Sequence, residues 1–201
     1  MKEEPERVQN SLADEELMFH VRNGTGEMLG VLFARYQSPL LNFYCKLTGD
    51  RALSEDLVQD VFYRVLKYRQ TYKPGTSFKA WIYQIARNAR TDNFRKQRPQ
   101  VEMEEQYAPV VIPMDTVQEG QETALLHKAL MMLPEEKREV LVMARFQELK
   151  YEEIGRLVGC DPGTVKVRVF RALKELKDIY QQLEAKRPPR NTARGTDYDV
   201  Q

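Results

Sequence analysis

Residues 151–177, YEEIGRLVGCDPGTVKVRVFRALKELK, leave a chain little freedom in how it folds. Ile154, Leu157 and Val158 recur at helical spacing between Tyr151 and Val158, so this segment reads as a short helix with one apolar side. Gly159 follows, the residue that most readily takes the left-handed conformation that ends a helix. Asp161 is then placed to cap a second helix, and Pro162 suits its first position, where no amide hydrogen is needed. That second helix runs past Leu176. Two helices joined by so tight a turn form a helix-turn-helix.

Projected at about 100° per residue, the second helix divides cleanly. Val165, Val169, Ala172, Leu173 and Leu176 fall on one stripe, the expected core. The opposite face carries Lys166, Val167, Phe170, Arg171 and Lys174. Cations there suit phosphates or guanine edges in a major groove, and Val167 and Phe170 suit the methyl groups of thymine. A bare solvated helix face explains the cations but not the two apolar side chains.

The remainder of the chain is helical in pattern too. The one β-like run, Val110-Val111-Ile112, lies between Pro109 and Pro113. The expected class is therefore all-α, with two small helical domains. Residues 1–13 read as a polar, disordered tail, and 14–97 as a first helical domain. Residues 98–121 hold Pro99, Pro109, Pro113 and Gly120 with five carboxylates, and read as a flexible acidic linker. Residues 122–183 read as a second helical domain, and 184–201 as a second disordered tail. Within the first domain, Asp50-Arg51 and Lys73-Pro74-Gly75-Thr76 mark breaks. Ser54 is placed to cap a helix from Glu55 to about Tyr68, and Ser77 to cap one running to about Lys96. Pro134 is placed to open a helix in the second domain.

The segment SFKAWIYQIARNARTDNFRK (77–96) carries a core stripe of Phe78, Ile82, Ile85, Ala86 and Ala89. Its far side is expected to present Tyr83, Arg87, Arg90, Phe94 and Arg95. Arginines interleaved with rings suit a groove for single-stranded nucleic acid, where cations follow the backbone and rings stack on bases. Trp81, at the edge of the stripe, is expected to serve chiefly in packing.

Composition sets limits on chemistry. Net charge is +1, so the average says nothing of nucleic acid, and only the local distribution does. The N-terminus MKEEPERVQN is polar and lacks the apolar run of a signal peptide, and no segment approaches the roughly 20 apolar residues of a membrane span. A cytoplasmic location without membrane insertion is the expectation. Cys45 and Cys160 lie far apart, and His20 and His127 add no metal-binding spacing, so no metal or other cofactor is expected. No glycine-rich phosphate loop and no nucleophile–base pair stand out, so the chain is not expected to be an enzyme.

Three stretches taken together carry a resemblance: SEDLVQDVFYRVLKY (54–68), FKAWIYQIARNARTDNFRK (78–96) and LPEEKREVLVMARFQELKYEEIGRLVGCDPGTVKVRVFRALKEL (133–176). In order and spacing the chain resembles the sigma subunits of bacterial RNA polymerase, specifically the extracytoplasmic-function (ECF) group. The resemblance implies an N-terminal domain binding the polymerase clamp and the minus-ten element, and a C-terminal domain binding the polymerase flap and the minus-thirty-five element. It assigns Asp56, Gln59 and Asp60 to core polymerase. It places Tyr72 and Asn88 at a pocket for a flipped minus-ten base, beside the Tyr83, Arg87, Arg90 and Arg95 face. It gives Lys166, Val167, Phe170 and Arg171 to the minus-thirty-five element, with Lys174 on the same face. An anti-sigma protein is a further partner class of this family. Gly155 departs from the family's usual alanine, which is expected to weaken its helix slightly. Val167 replaces a small polar residue, so the preferred element is expected to differ.

Two other readings compete. A stand-alone helix-turn-helix regulator would dimerise on two half-sites and leave the first domain without a role. A nucleic-acid enzyme would need a metal cluster or acid–base pair that the sequence does not offer.

Overall fold

The computed structural model describes residues 11–97 and 120–187. The acidic linker and both tails, apart from the few residues that these ranges include, lie outside the described residues. Eight α-helices follow in order among the described residues: α1 (Asp14–Arg22), α2 (Glu27–Thr48), α3 (Arg51–Tyr68), α4 (Phe78–Gln97), α5 (Gly120–Met131), α6 (Glu135–Arg145), α7 (Tyr151–Val158) and α8 (Pro162–Ala185). A single 3-10 turn, Arg69–Thr71, extends α3.

Helices α1 to α4 form a first bundle. The apolar stripe of α4 is buried along its length at Phe78, Ile82, Ile85, Ala86 and Ala89. It meets α2 through rings, with Tyr36 edge-on to Phe78 at 5.2 Å and Phe43 edge-on to Tyr83 at 5.1 Å. The Tyr44 hydroxyl donates to the Ala86 carbonyl at 2.9 Å. The start of α4 is held from two sides. Ser77 Oγ accepts the Ala80 amide at 3.1 Å, as its capping position predicts, and Glu15 of α1 accepts the Phe78 amide at 3.0 Å.

The start of α3 differs from expectation. The preceding helix stops at Gly49, which takes φ 72°. Asp50 is the cap, its carboxylate accepting the Leu53 amide at 3.0 Å. The helix therefore begins at Arg51, one turn earlier than a Ser54 cap would have it. Ser54 is buried inside that first turn and its hydroxyl donates to the Asp50 carbonyl. A break at Asn23–Gly26 separates α1 from α2, with Gly24 at φ 100°, and α2 then continues through Pro39.

Helices α5 to α8 form the second bundle. α8 is its spine, burying Val165, Val169, Ala172 and Leu176 against α6, α7 and α5, with Leu173 half-buried. α5 starts at Gly120, inside the stretch expected to be linker. Pro134 is the cap residue of α6 and lies just before its first helical position.

The two bundles touch. α2 packs on α5 and α6, and α4 packs on α7.

Candidate nucleic-acid interface

The helix-turn-helix forms as the sequence predicts. α7 ends at Gly159 with φ 70°. Asp161 Oδ1 then accepts the Thr164 amide at 2.8 Å, and the Thr164 hydroxyl donates to the other carboxylate oxygen. These bonds favour the ionised carboxylate, the hydroxyl of Thr164 most of all, and hold Asp161 below the usual carboxylate range.

Gly155 has a role that its helix position hides. A Cβ built on it would stand 2.5 Å from the Cys160 carbonyl oxygen. The Cys160 amide meanwhile donates to the Gly155 carbonyl at 3.0 Å. The turn thus folds directly over Gly155. The expected slight weakening of α7 is accompanied by a close approach that a larger residue would block.

On α8, Lys166, Val167, Phe170, Arg171 and Lys174 are all exposed. Phe170 is 69% exposed and Val167 46%. Among the described residues nothing covers this phenylalanine, which stands open beside cations on a capped helix.

The first bundle is arranged differently. Asp56 and Gln59 are exposed on α3. Asp60 is bound to Arg64 at 2.9 Å, and Arg64 in turn reaches Asp92 of α4 at 2.8 Å. One guanidinium therefore ties α3 to α4. Its hydrogen bond is the main reason that the Asp92 carboxyl lies below its ordinary range.

The face of α4 expected to point outward does so only in part. Asn88 and Arg95 are exposed; Asn88 accepts from Gln84 at 3.0 Å, and Arg95 lies 3.4 Å from Asp92. Tyr83 is fully buried, and Arg90 is only 5% exposed. Arg87 is half-buried. The second bundle covers this side of the helix at Arg87 and Arg90, while the Tyr83 ring is packed on Phe43 of α2 within the first bundle. Tyr83 donates to Gln147, Arg87 pairs with Glu139, and Arg90 pairs with Glu135 and stacks on Phe94 at 5.1 Å. Tyr72 is likewise buried: its hydroxyl donates to the Thr76 carbonyl at 2.6 Å and its ring meets Trp81 at 5.3 Å. This bond holds the loop 72–76 closed. Trp81 packs among these rings, as its place beside the core stripe suggests.

The sequence reading did not single out Glu135, Glu139 or Gln147. Two glutamates four residues apart on an amphipathic helix look like solvated surface. Nothing local indicates that they meet arginines some 50 positions away.

Among the described residues no group of His, Cys, Asp and Glu is placed to hold a metal, and no helix is long and apolar enough to cross a membrane.

Comparison with known proteins gives this geometry its context. Residues 32–100 match the family description Sigma-70 region 2, and residues 123–176 match Sigma-70, region 4. The chain is 32% identical over 170 residues to the RNA polymerase sigma factor CarQ of Myxococcus xanthus, covering 83% of this chain and 97% of that one. It is 32% identical over 138 residues to the ECF RNA polymerase sigma factor EcfG of Rhodopseudomonas palustris, covering 68% and 76% respectively. It is also similar, with a TM-score of 0.63 and 26% identity over 77% of this chain and 96% of the other, to the sigma factor RpoE solved with the anti-sigma factor NepR from Bartonella quintana. With a region 2 bundle, a region 4 helix-turn-helix and relatives matched over 97% and 76% of their length, the chain belongs to the sigma-70 family of RNA polymerase sigma factors, in its ECF group.

Proposed function

We propose a division of labour among the residues of this sigma factor as it directs promoter-specific initiation. The α8 face of Lys166, Val167, Phe170, Arg171 and Lys174 reads the minus-thirty-five duplex. Arg171 and the lysines supply donors to phosphates and guanine edges, and Phe170 and Val167 meet thymine methyls. The observation that carries this reading is the exposure of Phe170 on a capped helix.

α4 and the loop before it hold the melted minus-ten strand. Arg87, Arg90 and Arg95 follow the backbone, the buried Tyr83 supports that face from within the bundle, and Asn88 hydrogen-bonds a base edge. Tyr72 supplies a ring face once the loop 72–76 opens. Expelling a base costs a few kcal/mol, so these contacts act together. Asp56, Gln59 and Asp60 on α3 meet a basic helix of core polymerase. Residues 14–97 and 122–183 act as the two modules, and 98–121 as the tether between them. Each module grips weakly alone, and the tether raises the effective concentration of the second contact. Polymerase supplies all catalysis.

The Bartonella quintana relative was solved with an anti-sigma factor, and we extend that class of partner to this chain. A cytoplasmic site of action follows from these partners.

Footprinting of holoenzyme on a promoter tests the reading. Protection at both elements, with the upstream patch lost in Phe170→Ala and Arg171→Ala, is expected. Upstream protection unchanged in both variants would overturn the α8 assignment.

A further inference from the structure

One line of ion pairs runs from α3 to the outer face of α4. Asp60 Oδ2 of α3 accepts Arg64 Nε at 2.9 Å. Arg64 Nη1 donates to Asp92 Oδ2 of α4 at 2.8 Å. Asp92 Oδ1 then lies 3.4 Å from Arg95 Nη2. Arg64 is sheltered, with 16% of its side chain exposed, and Arg95 at the end of the line is open at 81%. Acid and base alternate along the line, so its charges cancel.

Each inner group serves two partners. Arg64 divides one positive charge between two carboxylates, and Asp92 divides one negative charge between two guanidiniums. Of those two, Arg64 has the greater influence on the Asp92 carboxyl, through its hydrogen bond. A strut between α3 and α4 would need only Arg64 and Asp92. The extension at each end, to one residue assigned to polymerase and one assigned to the promoter strand, is what a strut leaves unexplained.

We propose that Arg64 is a positioning residue that relays polymerase docking to the strand grip: a cation of polymerase arriving at Asp60 leaves Arg64 to Asp92, and Asp92 so neutralised releases Arg95 to a phosphate of the minus-ten strand. This rests on the assignment of Asp60 to polymerase and of Arg95 to that strand. The coupling has the same sign in reverse. A phosphate that takes Arg95 leaves Asp92 to Arg64, and Asp60 is then open to the polymerase cation. Ion pairs this accessible to water are weak, so the effect at Arg95 is about threefold.

The test measures what Arg95→Ala costs in the binding of a short oligothymidine to the full chain, read by fluorescence anisotropy. The cost is taken in three chains: wild type, Asp60→Asn and Asp92→Asn. Each cost compares two proteins that differ at Arg95 alone, so charge lost elsewhere cancels. Asp60→Ser and Asp92→Ser stand in should either asparagine variant misfold by circular dichroism. Almost no cost is expected in the wild type, where Asp92 holds Arg95, and about a threefold cost in each of the other two. A purely structural Arg64 would not move this readout. A cost that rises with Asp92→Asn but not with Asp60→Asn, or that is equally large in all three chains, would overturn the relay and leave the Arg95 assignment standing. No cost in any chain would overturn that assignment and the relay with it. In holoenzyme, on a forked fragment of a promoter that it transcribes, wild type and Asp60→Asn should show the same Arg95 cost. A larger cost in Asp60→Asn would overturn polymerase as the trigger.

Discussion

Gly155 and Phe170 are unusual residues for opposite reasons, one for what it leaves out and the other for what it leaves uncovered. The turn of the helix-turn-helix closes over the bare Cα of Gly155. Gly155→Ala gains helix propensity of up to about 1 kcal/mol. It also forces the Cys160 carbonyl aside, an overpacking that costs about 1–3 kcal/mol. A net loss of stability is expected in urea unfolding, and a more stable variant would contradict the close approach. Phe170→Ala removes no core contact, so stability should change by less than about 0.5 kcal/mol while upstream discrimination falls. Arg171→Ala should relax minus-thirty-five selection by about 1–3 kcal/mol if its contact with a base is bidentate, read by transcription from a promoter library. The exposure of Phe170 was legible from helical projection alone, because the position depends only on a period of 3.6. The need for Gly155 was not, because it depends on where the chain returns after the turn.

At the scale of elements, caps decide where helices start. Asp161 contributes as a carboxylate. Its pKa is held down in the folded state, so the stability it adds is present above the ordinary carboxylate range and is lost as pH falls through its lowered value. Melting temperature of the wild type should therefore drop on acidification more steeply than that of Asp161→Asn, measured by circular dichroism. Equal slopes would remove the ionised cap from the account. The Asp50 cap was missed because Ser54, an equally good cap by residue type, precedes an acidic turn. Gly49 ends α2 early enough to let the nearer candidate act. On α3, Asp60→Arg places a cation beside Arg64 and removes one of the two carboxylates that steady it between α3 and α4. Core polymerase should be retained less well in a pull-down, and the thermal stability of the first bundle should fall with it. Full retention would exclude α3 as the polymerase-binding helix.

At the scale of the molecule, the packing of one bundle on the other is what the sequence could not convey. Periodicity reveals that a helix has a cationic side and never what covers it. Arg87 and Arg90 project from the core stripe of α4 as expected, yet they end against α6; Tyr83 instead belongs to the core of the first bundle, its ring against Phe43 and its hydroxyl on Gln147 of the loop after α6. The all-helical class and the capped turn were readable because local rules govern them. Contact between bundles is a long-range balance of charge and burial with no local signature.

Run-off transcription with core polymerase on a promoter library, with and without the full chain, measures the central claim most directly. Discrete transcripts that appear only when the chain is added, and that share an upstream and a minus-ten element, are the predicted result. A chain that binds core polymerase yet leaves its transcripts unchanged on every template, or one that never associates with it, would contradict the account.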